Sequence, residues 1–113
     1  MIKKYTGIET KIIERAKGGK GKLLMEQYFS SDELKNGIKM LSIVKLEHGV
    51  SVGLHKHTDN SEIYLILEGE GTVYDDDKIV ILNAGDAIYT PMGHSHSIEN
   101  RGKRILKFVA IIA

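Results

Sequence analysis

Short apolar runs separated by frequent turn signals are the feature of this sequence that most limits its fold. Nine runs of three to nine residues have the apolar or alternating pattern typical of β-strands, and Gly, Asn, Asp or Pro bounds most of them. They span residues 23–29, 38–46, 52–57, 62–68, 72–74, 78–82, 87–90, 95–99 and 104–112. Almost no helical periodicity lies between them, so the pattern predicts an all-β chain, built as an antiparallel sandwich, barrel or jelly roll.

The composition is that of a one-domain protein. The chain has 113 residues, 42% of them hydrophobic, which supplies one packed core and leaves no room for a second folding unit. Its 16 basic and 15 acidic residues give a net charge of +1 without a basic stripe, so nucleic acid is not an implied partner. We therefore expect a single domain over residues 1–113.

The features that bear on localisation favour the cytoplasm. The absence of cysteine excludes disulfides and thiolate metal sites and is compatible with a reducing compartment. Residues 1–14 are charged throughout and lack the apolar centre of a signal peptide. No apolar run approaches the roughly 20 residues needed to cross a bilayer. We expect a soluble cytoplasmic protein with no membrane partner.

Two histidines separated by one residue form the first candidate site. His55 and His57 end a predicted strand, where alternate side chains share a face, so both imidazoles point the same way. Glu62 follows a short turn at residues 58–61 and begins the next strand, so its carboxylate can reach the same point. Histidine pairs on exposed strands often have no function, and this pair alone leaves that interpretation open.

A third histidine strengthens the metal interpretation. His96 lies in P-M-G-H-S-H-S-I-E-N, again beside a turn. Three imidazoles and one carboxylate, with no sulfur, suit a divalent transition metal such as manganese, iron, nickel, copper or zinc. Such a site leaves one or two coordination positions for a substrate carboxylate, a carbonyl or dioxygen.

Two further motifs suggest chemistry but are better explained as turns. Residues 17–22 read K-G-G-K-G-K, without the spacing of a phosphate-binding loop, and predict a flexible turn. The run Asp75-Asp76-Asp77 lacks the alternating ligands and distant glutamate of a calcium loop, and predicts a solvated hairpin turn.

The histidine-containing stretches together resemble the two motifs of the cupin family. The first motif is matched by Gly49-x5-His55-x-His57-x4-Glu62-x6-Gly69. The second is matched at every position by Gly85-x5-Pro91-x-Gly93-x2-His96-x3-Asn100. Both motifs occur complete and in order on an all-β pattern, and together they span about half of the chain.

The resemblance implies a small jelly-roll β-barrel, also called a double-stranded β-helix, with a conserved-type barrel at about residues 38–112 and an N-terminal arm at 1–22. It also implies that His55, His57, Glu62 and His96 are the ligands of one metal ion per chain. The small single-domain cupins that are similar to oxalate decarboxylase suggest manganese as that ion, with iron, zinc, nickel or copper as alternatives.

Two neighbours of these residues are candidate substrate contacts. Tyr64 shares strand parity with Glu62, so it either hydrogen-bonds a substrate or fills the barrel. His94 shares parity with His96, but it lies beside the Pro91–Gly93 bend, so it either lines the site or sits at its rim.

The resemblance leaves several functions open. One is a metal-dependent enzyme acting on a small carboxylate or oxygen-rich substrate, like an oxalate decarboxylase or a dioxygenase. No second carboxylate has a defined place as proton donor, since Glu68, Glu70 and Glu99 lie near turns. The alternative is a non-catalytic cupin that binds a small sugar or acid. A structural cupin with an empty site is disfavoured, because four converging polar groups in a barrel are costly without a partner.

The resemblance also implies a homodimer. In small cupins the N-terminal arm and the strand after it, here Leu23 to Phe29, often add to the sheet of a neighbouring copy.

Overall fold

The computed structural model describes residues 1–113, and β-strands make up most of it. Short 3₁₀ turns occur only at Tyr5–Gly7 and Ala16–Gly18. The strands are β1 (Thr10–Glu14), β2 (Lys22–Phe29), β3 (Met40–Leu46), β4 (Ser51–Lys56), β5 (Glu62–Glu68), β6 (Glu70–Asp75), β7 (Lys78–Asn83), β8 (Ala87–Thr90), β9 (Ser95–Glu99) and β10 (Leu106–Ile112). No helix has the length and apolar character needed to span a bilayer.

The strands form two antiparallel sheets. The six-stranded sheet has the order β1-β2-β3-β10-β5-β8, and the four-stranded sheet has the order β4-β9-β6-β7. Long-range pairings such as β3 with β10 and β4 with β9 interleave the first and second halves of the chain. This arrangement is the predicted all-β jelly roll.

The core lies between the inner faces of the two sheets. Strand β5 shows why, since its burial alternates along the chain: Glu62, Tyr64 and Ile66 are buried while Ile63 and Leu65 face outward. The period of two is that of a strand with one face on the core. The other buried hydrophobic residues are Leu23, Val44, Leu46, Val52, Val73, Ile88, Ile98, Leu106, Phe108 and Ala110.

Strand β3 differs from its prediction in one respect. Its mainly apolar run predicts burial on both faces, but only Ser42, Val44 and Leu46 are buried, and the alternate side chains are partly exposed. The outer face of the six-stranded sheet has no covering layer, so the outward residues Leu41 and Ile43 remain within reach of solvent.

The N-terminal segment belongs to the sheet. Residues Thr10 to Glu14 pair with Glu26 to Lys22, so β1 is the edge strand and β2 lies between β1 and β3. In this chain β1 covers one edge of β2 from Lys22 to Glu26, so β1 presents most of the free edge on this side of the sheet. The addition of Leu23 to Phe29 to a neighbouring copy's sheet remains a prediction.

The glycine-rich residues 17–22 do form a turn, and the turn packs against β4. The amide of Lys20 donates to Ser51 Oγ at 2.9 Å, and the amide of Ser51 donates back to the Lys20 carbonyl at 3.0 Å. A Cβ on Gly19 would lie 2.7 Å from the amide nitrogen of Gly53, closer than real Cβ atoms approach. Glycine is needed at this position because the two backbones touch.

Candidate metal centre

Four polar side chains converge at one end of the space between the sheets. His55 in β4 and His96 in β9 are register partners, His57 follows β4, and Glu62 begins β5. One possible ligand atom from each residue lies within 4.8 Å of all the others. The structure therefore brings together the four residues that the sequence proposes as metal ligands.

The distances within this cluster are short. His57 Nε2 lies 2.9 Å from His96 Nε2, which lies 3.1 Å from His55 Nε2. Glu62 Oε1 is 3.2 Å from the Nε2 atoms of both His57 and His96. Because His57, Glu62 and His96 are at most 7% exposed, water can satisfy little of this polar surface.

The opposite nitrogen of each imidazole is held by the protein. The partners are the Gly53 carbonyl for His55 Nδ1 at 2.7 Å, Asn60 Oδ1 for His57 Nδ1 at 2.5 Å, and Thr90 Oγ1 for His96 Nδ1 at 2.8 Å. A carbonyl oxygen can only accept, so His55 must carry its proton on Nδ1. Such contacts orient metal-binding histidines and leave the Nε2 lone pairs free.

The cluster fits a cation. With Nδ1 protonated, the Nε2 atoms present lone pairs to one another and to the Glu62 carboxylate, which is unfavourable unless a positive charge lies between them. Ligand atoms about 2.1 Å from one ion and at right angles are about 3.0 Å apart, which matches the observed spacings. Burial lowers the pKa of His55 below its usual 6.5, which favours the neutral imidazole that metals require.

Tyr64 packs beside the cluster. Its ring is stacked on His96, with centroids 4.8 Å apart and an interplanar angle of 13°, and it also contacts Phe108, with centroids 4.6 Å apart. Burial raises the pKa of the phenol well above its usual 10.0, and the neighbouring Glu62 carboxylate raises it further. Tyr64 is therefore a neutral group that fixes the orientation of His96 and also lines the cavity described below.

His94 lies outside the cluster. Its imidazole is half-exposed, and its Nδ1–H donates to Asp76 Oδ2 at 2.5 Å. Of the two positions that the sequence leaves open for His94, the structure has the one outside the cluster, since β9 begins only at Ser95 and the backbone at Gly93 has a φ of 91°. Alternation does not extend through such a bend. A role of His94 in substrate binding remains a prediction.

Asp76 instead joins the β6–β7 hairpin to the start of β9. Its carboxylate accepts from His94 and from the amide of Ser95 at 3.0 Å. These hydrogen bonds, first that from His94, lower the pKa of Asp76 below its usual 3.8. A carboxyl group with a lowered folded-state pKa stabilises the fold above its unfolded pKa, and this contribution is lost as the pH falls through the folded value.

We expect Asp76→Asn to lower the melting temperature at pH 7 by a small amount, and the difference from the unmodified protein to disappear as the pH falls below 3.8. Asparagine tolerates the positive φ of 54° at this position, so the substitution keeps the turn. Thermal unfolding followed by circular dichroism at several pH values checks this. Asp77→Asn is the matched control, since Asp77 has no side-chain hydrogen bond, and an equal pH dependence in both variants would contradict the assignment.

The cluster opens into a cavity of about 320 Å³. His55 and His57 line it from β4 and the residue after β4, whereas Glu62, Tyr64 and residues from β2, β3 and β10 line it from the six-stranded sheet. The N-terminal segment also contributes Ile13, Ala16 and Lys17, which sequence reasoning missed. The glycines at positions 18, 19 and 21 were the available signal, because such a run permits close backbone packing as well as flexibility.

Comparison with known proteins agrees with this geometry. An oxalate-binding protein of Thermotoga maritima is 42% identical over 112 residues, which cover 99% of this chain and 93% of the relative. A crystal structure of a predicted oxalate decarboxylase from the same organism superposes with a TM-score of 0.93, also at 42% identity, and covers 99% of this chain and 97% of that one.

Other relatives match only part of this chain in sequence. A mannose-1-phosphate guanylyltransferase of Sinorhizobium fredii is 36% identical over 63 residues, which are 56% of this chain but only 12% of that enzyme. Residues 42–112 match the family model described as the cupin domain, and this range contains all four residues of the cluster. The chain therefore belongs to the cupin family.

Proposed function

We propose that the protein binds one divalent metal ion through His55, His57, Glu62 and His96, and holds a small carboxylate such as oxalate at that ion. The observation that carries the proposal is the convergence of these side chains on a cavity large enough for a ligand. The similarity to an oxalate-binding protein along almost the whole chain supports oxalate as the first ligand to test.

The residues around the cluster suit this role. When bound, the ion supplies a positive charge and Lewis acidity to a carboxylate oxygen. Asn60, Thr90 and the Gly53 carbonyl hold the imidazoles in place before any ligand arrives. The stacked ring of Tyr64 excludes water from one side of His96.

Manganese is the ion that we propose. A ligand set with one carboxylate, three imidazoles and no sulfur accepts it, and the likeness of the chain to oxalate decarboxylase-like cupins favours it over iron, zinc, nickel or copper. Elemental analysis of protein purified without added metal tests this. Near one equivalent of manganese per chain supports the proposal, and a preference for another ion in competition experiments would replace manganese.

The cavity favours binding over decarboxylation. A decarboxylase needs a proton donor beside the ligand, but none of Glu68, Glu70 and Glu99 lines the cavity. Apart from Glu62, the only acidic residue that lines the cavity is Asp59, which is exposed at the opening. Decarboxylation with Asp59 as proton donor is the second candidate function.

We expect oxalate to raise the melting temperature of the manganese-loaded protein and to have no effect on metal-free protein. A ligand present at 100 times its dissociation constant stabilises the folded state by about 2.7 kcal/mol. Thermal shift and isothermal titration calorimetry measure this, and formate and carbon dioxide assays on the same samples measure turnover. Binding without product supports the binding function, whereas product that is lost in Asp59→Asn supports the second candidate.

We also propose that two copies associate through the outer face of the six-stranded sheet. Ile63, Leu65 and Leu67 on β5 are 38–39% exposed, and Tyr89, the register partner of Ile63 on β8, is 59% exposed. Contiguous apolar side chains on adjacent strands are typical of an interaction surface. A second copy presents the same face, and the low net charge of +1 opposes association little.

We expect light scattering after size exclusion to give the mass of a dimer, and Leu65→Lys to shift the protein to monomer. Ile79→Lys on β7 is the matched control, since Ile79 is 67% exposed on the other sheet. A monomeric unmodified protein would contradict the proposal, and dissociation by Ile79→Lys alone would move the interface to β7.

A further inference from the structure

The wall of the cavity on the six-stranded sheet is apolar beyond Glu62. Met25, Val44 and Phe108 are register partners across β2, β3 and β10, so they form one row on the inner face of the six-stranded sheet, and all three line the cavity. The ring of Tyr64 contacts both His96 and Phe108, and thus connects this row to the cluster. The cavity is therefore polar at the cluster and apolar along the row of Met25, Val44 and Phe108.

Oxalate by itself would use only the polar end. It consists of two carboxylate groups joined directly and has no hydrocarbon part to cover the apolar row. The volume of about 320 Å³ lies in the range of sites for larger ligands, roughly 300–1,000 Å³. With oxalate bound, the side chains of Met25 and Val44 would still face water or empty space.

The lining of the cavity also includes charged side chains. Lys17, Lys56 and Asp59 line it and are exposed, which places them at the opening. Lys17 and Lys56 form no ion pair within the chain, so their ammonium groups remain solvated. An aliphatic ligand chain that extends to these charged groups gains no further binding free energy. The chain length that gives the highest affinity is therefore the one that just covers the apolar row.

We infer that the preferred ligand is a carboxylate with an aliphatic side chain, of the class of 2-oxo monocarboxylic acids with five or six carbons. This inference rests on the proposed metal-dependent binding of carboxylates. The carboxylate and the adjacent carbonyl oxygen present to the metal the same paired oxygens as oxalate, while the chain covers Met25, Val44 and Phe108.

The affinity of the protein for 2-oxo acids should consequently rise with the length of their aliphatic chain. Burial of each methylene contributes about a fourfold gain in affinity in a preformed apolar site. Calorimetry on manganese-loaded, desalted protein compares oxalate with pyruvate, 2-oxobutanoate, 2-oxopentanoate and 2-oxohexanoate. We expect 2-oxohexanoate to bind at least tenfold more tightly than pyruvate.

A variant that fills the cavity tests whether the apolar row causes the gain in affinity with ligand chain length. Met25 is partly exposed, so Met25→Trp can occupy the cavity without entering the closed part of the core. It should remove the gain in affinity with chain length, measured in the same variant as the ratio of the affinities for 2-oxohexanoate and pyruvate. The matched control is Met92→Trp, the same change at a residue that is 62% exposed and outside the cavity.

The results separate this inference from the proposed function. Equal affinity for pyruvate and 2-oxohexanoate, with oxalate still bound, overturns the chain-length inference alone. Absence of binding by every acid in the series overturns both. A gain with chain length that survives Met25→Trp in a folded, oxalate-binding protein would overturn the assignment to the apolar row.

Discussion

Replacement of both His55 and His57 by alanine is expected to abolish metal binding and leave the protein folded. Two of the four converging ligand atoms disappear, and the remaining Glu62 and His96 cannot hold an ion alone. In metal-free protein the close Nε2 atoms contribute no stability, so their removal should change the melting temperature by only a few degrees, or roughly 1 kcal/mol. Elemental analysis and circular dichroism measure the two effects.

His94→Ala is the matched control for this double variant. His94 lies two residues from His96 in sequence, but its imidazole binds Asp76 outside the cluster. The His94→Ala variant should therefore bind a full equivalent of metal and be stabilised by manganese as the unmodified protein is. Unchanged metal content in the double variant would refute the assignment of His55 and His57 as metal ligands. Metal loss in His94→Ala would show that a substitution near His96 in sequence is enough to disturb metal binding.

Gly53→Ala is expected to cause a large loss of stability, because Gly53 lies against the turn that lines the cavity. A Cβ on Gly53 would collide with the Lys17 carbonyl oxygen and lie 2.8 Å from the Gly19 amide nitrogen. Both are backbone atoms, so no side chain can move to make room. Overpacking of this kind costs about 1–3 kcal/mol, and here it must displace the Ala16–Gly18 turn from β4.

The displacement should also affect ligand binding. Ala16 and Lys17 line the cavity, so their movement opens it and should weaken oxalate binding while metal content stays near one equivalent. Gly7→Ala is the control, because its Cβ would meet no atom within 4 Å. Denaturant unfolding and calorimetry test both variants, and normal stability in Gly53→Ala would show that the turn is not held against β4.

Much of the site could be read from local sequence. The alternation of strand β5 places Glu62, Tyr64 and Ile66 on the inner face, and the structure confirms it. The spacing of His55 and His57, with His96 after its Pro-Gly bend, predicts convergence because strand geometry is regular over such short distances. The metal identity, the homodimer and the cytoplasmic location remain predictions.

Where regular geometry ends, sequence reasoning becomes less accurate. Strand parity left two positions open for His94, because the bend at Gly93 interrupts alternation, and only the structure shows its imidazole bound to Asp76. The position of β2 between β1 and β3 could likewise not be predicted from the sequence, because strand order depends on pairings between residues far apart in the chain. The residues that lie beside a given residue on adjacent strands cannot be predicted from the sequence of its own strand.

The sequence by itself determined the all-β class, the family and the four converging polar residues, since these depend on short-range periodicity and fixed spacing. Only the tertiary structure decided what faces the cluster. The packing of residues 16–19 on β4, and the row of Met25, Val44 and Phe108 opposite the histidines, arise from contacts between distant segments. Their cavity is therefore a property of how the sheets pack and cannot be read from any one strand.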